Sequence, residues 1–383
     1  MMVSFQTKMN ILRPFLILPE LIEQPTWGGD YITTLKNWKH KIANPMAKIG
    51  QSHELSGKSK LTPTITSSDD GRFGPALFQE KDTIALADLV DTQPEQILGK
   101  KVTAKYSGMP LLIKLNQAMG NSFQLHLKPG QQHPRWKPKP ESWYFLEAGY
   151  VSCGINTQID IHKYKETCQA IARFMDVLST EVTSGAKHVE YARSEARQFI
   201  TAKDPWQFVK LHRVKKYDLI DLSIGGIHHS WEEKRNEYPR GNIIYEVQLD
   251  VADEYCTIRS FDQGKLKDDG SLREIHIEDY FHFLDTNPQN NDISMLMRKK
   301  NGTSLVQTPH YSLDIIENFQ DTTDLTNDSF AHLYVRSGSV DIQAGDILLN
   351  VTRGHSCFIP ADVQKYTIHA KTIDAAVLKT YIS

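Results

Sequence analysis

Ser122-Phe123-Gln124-Leu125-His126-Leu127 alternates in character along its length, as a strand does when one face meets a core or a cavity. Residues two apart on a strand share a face, so Gln124 and His126 are expected to point into one cavity. Beyond a turn rich in Pro and Lys, Glu141 opens a second strand-like run, Ser142-Trp143-Tyr144-Phe145-Leu146. Farther on, His228 follows a strand-like stretch from Asp218 that ends in the glycine turn Gly225-Gly226. Amide oxygen, carboxylate and imidazole together suit a divalent ion such as zinc, with a position left open for water or substrate. Spacing alone does not single these out among 15 histidines, and His133 and His229 stay open as neighbours.

The rest of the chain repeats the pattern of short strands. Leu111–Leu115 and Ile243–Leu249 are apolar or alternating runs, separated from others by Gly, Pro, Asn and Asp. Many short strands divided by turn residues point to a sandwich or barrel. Residues 160–202 differ. Cys168, Ile171, Ala172, Met175 and Leu178 recur at helical spacing, as do Val189, Ala192, Ala196, Phe199 and Ile200. Thr183-Ser184-Gly185 lies between them, so a helical hairpin is expected there, its apolar stripe serving packing. Ala87 through Leu98 also reads as helical, with Gly99 as its C-terminal cap. The polar stretch Asn287–Asp292 reads as a linker. It divides a first module, residues 1–290, from a second strand-rich module, residues 300–383, punctuated by Gly338, Gly345, Gly354 and Pro360.

Bulk properties narrow the partner. The 383 residues carry a formal net charge of −2, which gives no sign of nucleic acid or an anionic membrane as partner. No apolar run reaches the roughly 18 residues that cross a bilayer. Phe15-Leu-Ile-Leu18 is too short for a signal sequence, so a cytoplasmic location is expected. The four cysteines, Cys153, Cys168, Cys256 and Cys357, are scattered without CxxC spacing and read as reduced. A small molecule is the expected ligand, and the oligomeric state is not readable.

Several words of this sequence, in order, resemble the type I mannose-6-phosphate isomerases of the cupin superfamily. They are Trp27-Gly28-Gly29, Ile49-Gly-Gln-Ser-His-Glu-Leu-Ser56, Pro110-Leu-Leu-Ile-Lys114 and Gln124-Leu-His126. Lys139-Pro-Glu141-Ser-Trp-Tyr144, the approach to His228, Glu246-Val-Gln248 and Thr257-Ile-Arg259-Ser-Phe-Asp262 follow, and Gly354-x3-Phe358-Ile-Pro-Ala361 resembles the C-terminal cupin turn. The resemblance implies an all-β fold of two cupin (jelly-roll β-barrel) domains with a helical insertion, the second without metal. It implies one zinc ion per chain on Gln124, His126, Glu141 and His228, and interconversion of mannose 6-phosphate and fructose 6-phosphate through an enediol. Arg259, Glu246 and Lys139 would be catalytic. Ser52, Glu54, Lys114, Lys139 and Arg259 would bind the sugar phosphate, with Ser52 and Glu54 on the cavity wall.

The same residues have plainer readings. Glu246 could pair with a structural arginine, Arg259 with a surface acid, and Lys139 could belong to a solvated basic turn. The sequence also departs from the family at His53, Ser223 and Tyr255, and in Leu127-Lys128 after His126. These changes are expected to line the cavity and bear on which sugar fits. A non-catalytic cupin that binds a sugar or sugar phosphate is the alternative from another class. A metal-dependent dioxygenase is the alternative enzyme, though Lys, Arg and Ser around an anionic sugar favour isomerisation.

Overall fold

The computed structural model describes residues 12–24, 26–38, 44, 46–62, 83–226 and 229–383. The first barrel closes a seven-stranded sheet against a five-stranded one. In sheet order the larger runs Met297–Arg298, Leu219–Asp221, Glu141–Phe145, Asn242–Leu249, Leu111–Ala118, Ile49–Leu55 and Glu20–Glu23. The smaller runs Val209–Val214, Gly149–Ile155, His229–Trp231, Phe123–Leu125 and Ile258–Phe261. All of these pairings are antiparallel. No helix among the described residues is long and apolar enough to cross a membrane.

The larger sheet is covered on both faces, and strand alternation sorts its side chains. On Asn242–Leu249, the residues Ile243, Tyr245 and Val247 enter an apolar core shared with Leu313, Ile315 and Leu378 of the C-terminal module. Glu246 and Gln248 lie on the other face and line a cavity inside the barrel. A register slip of one residue would exchange these sets, burying the carboxylate in the core and the aliphatics in the cavity.

The second barrel packs Ser304–Gln307, Ser312–Glu317, Ala376–Tyr381, Ala331–Ser337 and Ser356–Ile359 against a four-stranded sheet. That facing sheet is Asp321–Leu325, Lys365–Ala370, Ser339–Ala344 and Ile347–Thr352. The division at about residue 290 does not separate the layers cleanly. Phe15–Leu18 pairs with Ser356–Ile359, placing Phe15 opposite Phe358, and with Lys60–Thr62 on its other edge. A run apolar on both faces is a fully buried strand, and nothing local in it names its distant partner.

The helical hairpin falls where the periodicity places it, at Ile161–Thr183 and Val189–Lys203. Asp160 caps the first helix by accepting from the backbone N–H of His162 and Lys163. Its strands of entry and exit, Gly149–Ile155 and Val209–Val214, pair with each other. The insertion is therefore an enlarged hairpin tip, and long insertions there add little closure entropy. The expected helix from Ala87 to Leu98 is two helices, Leu86–Thr92 and Pro94–Leu98. Pro94 has no N–H to continue the first and opens the second instead. Gly99 caps the second at φ 93°, where a Cβ would sit 2.0 Å from the Asp328 carbonyl oxygen.

Candidate active site

The space between the two sheets of the first barrel is a cavity of about 710 Å³. Register builds its larger wall in rows. Glu20, His53, Lys114, Glu246 and Trp143 are cross-strand neighbours in succession, and so are Leu112, Gln248 and Glu141. The first row sets Lys114 beside Glu246, Nζ to Oε1 at 3.0 Å, while Asn116 Nδ2 donates to Glu246 Oε2 at 2.7 Å. Glu246 is only 2% exposed, so both oxygens are fixed within the wall.

Lys139 and Glu141 are two apart and share the inner face, Nζ to Oε2 at 2.8 Å. Burial works against the Lys139 charge, but Glu141, with Glu246 and Asp253 beyond it, outweighs that and raises its pKa. On the facing sheet Gln124 is the cross-strand neighbour of Arg259. Arg259 is ion-paired with Asp253 through Nη2. Burial alone would raise the Asp253 carboxyl; the charges of Arg259 and Lys139 hold it well below the usual carboxylate range.

His126 lies one residue past the strand Phe123–Leu125 and is 1% exposed. Its Nδ1 is 2.6 Å from the Cys256 carbonyl oxygen, which can only accept, so Nδ1 carries the proton. The lone pair is left on Nε2, and that atom is 3.4 Å from Glu141 Oε1. Gln124 Oε1 accepts from Ser122 Oγ at 2.8 Å. No three His, Cys, Asp or Glu side chains form a metal cluster among the described residues. The set here is one imidazole, one carboxylate and one amide. These donors fit a borderline divalent ion, and a metal-binding histidine usually donates its other ring N–H to an oxygen acceptor, as His126 does here to the Cys256 carbonyl. His228, expected as the fourth ligand, lies outside the described residues; the strand that starts at His229 pairs with Gln124. His133 is turned away, accepting from the backbone N–H of Arg135 and Trp136.

Lys114, Lys139, Glu246 and Arg259 are thus brought together with Gln124 and Glu141 around one cavity. Ser52 and Glu54 are not. They occupy the opposite face of Ile49–Leu55, where Ser52 Oγ donates to Glu54 Oε1 at 2.6 Å and Ser356 Oγ to Oε2 at 2.8 Å. Lys36 Nζ completes this wholly buried cluster, 2.8 Å from Glu54. The strand alternates as expected but with its faces exchanged: Gln51 and His53 line the cavity. Of the departures at His53, Ser223, Tyr255 and Leu127-Lys128, only His53 does so; Leu127 is buried in the apolar core beside the helical hairpin and Lys128 pairs with Asp285. Tyr255 is 46% exposed beneath Lys137, and Ser223 N–H bonds Asp221 Oδ1 at 2.9 Å.

Other residues of the cavity carried no signal in the sequence. Asp253 sits in a short 3-10 turn, with no periodicity to tie it to Arg259 six positions later. Arg135 and Glu274, 139 apart in sequence, pair at the mouth at 2.8 Å beside His276. Trp27 and Trp231 form an aromatic floor with Trp143; Trp27 and Trp143 stand inside quoted family words, but nothing marked them as cavity residues.

Two antiparallel jelly-roll barrels, the first open around the Gln124 amide and the Glu141 carboxylate, make a cupin fold. Comparison with solved structures makes this specific. Mannose 6-phosphate isomerase from Bacillus subtilis matches with a TM-score of 0.64 at 16% identity, over 96% of this chain and 99% of that one. A zinc-bound mannose 6-phosphate isomerase gives 0.65 at 14%, over 97% and 99%. A phosphomannose isomerase variant from Salmonella typhimurium gives 0.65 at 15%, over 97% and 99%. The chain has the cupin fold of the mannose-6-phosphate isomerases. No family model and no curated protein matches its sequence.

Proposed function

We propose that the first-barrel cavity is the active site of an aldose–ketose isomerase that interconverts mannose 6-phosphate and fructose 6-phosphate. The observation that carries this reading is the buried carboxylate of Glu246, immobilised by Lys114 and Asn116 in the same cavity as Lys139, Glu141, Gln124 and Arg259. One zinc ion would be held by Gln124, His126, Glu141 and His228. When bound, it supplies positive charge that steadies the negative charge developing on the sugar oxygens.

The reaction moves one proton between C2 and C1 and another between the two oxygens. Glu246 removes the proton from C2 of the open-chain aldose. The C–H electron pair becomes the C1=C2 bond, and the carbonyl oxygen on C1 takes up a proton, giving the enediol. Return of the proton from Glu246 to C1, with loss of the proton from the oxygen on C2, completes the ketose. Lys114 and Asn116 hold the carboxylate in place, which matters because a base acts only within hydrogen-bond reach of the proton it moves. The Lys139 ammonium donates to the sugar oxygens while they exchange their proton. Arg259, aimed by Asp253, offers the planar fork that suits a phosphate.

The test is proton NMR of mannose 6-phosphate in D2O with the zinc-supplemented protein. The proposal predicts fructose 6-phosphate carrying deuterium at C1 wherever the enzyme-held proton has exchanged with solvent. Saturable binding of the sugar phosphate without any product would overturn it and leave a sugar-phosphate-binding cupin.

A further inference from the structure

His53 sits on the inner face of Ile49–Leu55, between Glu20 on the edge strand and Lys114 on the next strand inward. Its ring lines the first cavity and its side chain is 21% exposed, so a molecule in that space can reach it. Nδ1 lies 3.3 Å from Glu20 Oε2. A carboxylate only accepts, so Nδ1 carries the proton and the lone pair is left on Nε2. Burial and the neighbouring Lys114 charge lower the pKa of the ring from the ordinary 6.5, against the opposing pull of Glu20 and Asp250. The ring is therefore neutral at pH 7, with one donor and one acceptor.

The polar groups beside it on this wall are already committed. Lys114 and Asn116 hold Glu246, and Gln51 Nε2 donates to Asn116 Oδ1 at 2.9 Å. His53 Nε2 has no hydrogen-bond partner among the described residues. The wall thus offers an acceptor to which nothing donates. Hydrogen-bond chemistry decides which group of a sugar phosphate meets it: an ionised phosphate presents only acceptors, whereas a hydroxyl donates. His53 also stands two strands from Glu246, roughly 10 Å along the sheet. With C2 of a hexose at Glu246, the hydroxyl that meets His53 is one farther along the carbon chain.

We propose that His53, oriented by Glu20, is a specificity-determining residue of this cavity: its Nε2 accepts a hydrogen bond from one of the hydroxyls on C3 to C5 of the sugar. The inference deepens the isomerase reading and rests on it for the identity of the ligand. It also sets how the ligand lies, with that hydroxyl toward the Glu20–His53 pair and the phosphate toward Arg259 on the facing sheet. A site built to pair with a hydroxyl rejects an analogue that lacks it, because the site's own polar group is then left without a partner.

The experiment is calorimetric titration of the zinc-loaded full chain with mannitol 6-phosphate, an open-chain alcohol that cannot isomerise, and with its 3-, 4- and 5-deoxy derivatives. The native chain is expected to bind at least one derivative fivefold or more weakly than the parent. His53→Phe keeps a ring without the acceptor, and for one such derivative it should bring the two affinities within about twofold of each other. Native discrimination against all three derivatives in folded His53→Phe overturns the proposal. Should His53→Phe not fold, the same comparison in His53→Ala decides it. A native chain that binds mannitol 6-phosphate but does not convert mannose 6-phosphate overturns the isomerase reading alone, because the comparison of derivatives reads binding. Absence of binding by all four compounds overturns both.

Discussion

In the first barrel the inner faces of the strands carry Lys114, Lys139, Glu141, Glu246 and Arg259 around about 710 Å³ of open space. In the second barrel the inner positions carry Leu333, Val335, Val340, Ile342, Leu349 and Val351, packed against one another. Both are antiparallel and two-layered, so strand topology does not account for the difference. What differs is which residues fill alternate positions. Buried charges must be paired, and in the first barrel they are, Lys114 with Glu246 and Lys139 with Glu141. The second barrel buries a single lysine, Lys379, paired with Asp324 at 2.6 Å, and is otherwise filled by apolar side chains, its sheet sharing the apolar core beneath the cavity wall. The chain thus lines one barrel with paired charges around open space and packs the other with apolar side chains.

Substitution of one residue in each barrel should separate these roles. Glu246→Gln removes the proposed base but keeps its size and its hydrogen bond from Asn116. Turnover should fall about a thousandfold, roughly 4 kcal/mol, with zinc content unchanged by elemental analysis. Near-native turnover would move the base elsewhere. Glu54→Gln tests the corrected face of Ile49–Leu55. It leaves the Lys36 charge buried without its partner and should cost about 3–5 kcal/mol in urea unfolding, with kcat/KM of the folded fraction unchanged. A fall in kcat/KM at native stability would return Glu54 to the cavity.

Ile342→Ala in the second barrel should cost about 2–5 kcal/mol of stability, measured the same way, again with turnover per folded molecule unchanged. A large loss of kcat there would break the division between the barrels. The smallest effect concerns acid. Burial pushes His332 from the ordinary 6.5 down to about 3. Its folded pKa lies below its unfolded one, so the native state binds fewer protons in that interval. Stability is then fully present above pH 6.5 and falls by about 1.4 kcal/mol per pH unit toward pH 3. Between pH 6.5 and 5, His332→Gln should lose about 2 kcal/mol less than the native chain. An equal loss in both would show that His332 does not titrate there.

What could be read from the sequence follows from how local each signal is. The alternation in Ile243–Leu249 and the 3.6-residue period of 160–202 are carried by neighbours, and both elements formed as read. Gln124, His126 and Glu141 are legible as candidates because short words mark them. Ser52 and Glu54 were placed on the wrong face because alternation gives two faces but does not say which one is inside. Here the answer depends on Lys36 and Ser356, the latter 302 residues from Glu54. The Arg259–Asp253 and Arg135–Glu274 pairs, and the seam of Phe15–Leu18 with Ser356–Ile359, are contacts between segments with no shared period. Such contacts exist only once the chain has folded.

We propose that the first barrel converts mannose 6-phosphate to fructose 6-phosphate with a bound metal. This is tested most directly by a coupled assay of fructose 6-phosphate formation, run on zinc-loaded and chelator-treated protein side by side. The account predicts turnover with zinc, loss on chelation and recovery when zinc is restored. A protein that binds zinc stoichiometrically and still forms no fructose 6-phosphate would contradict it.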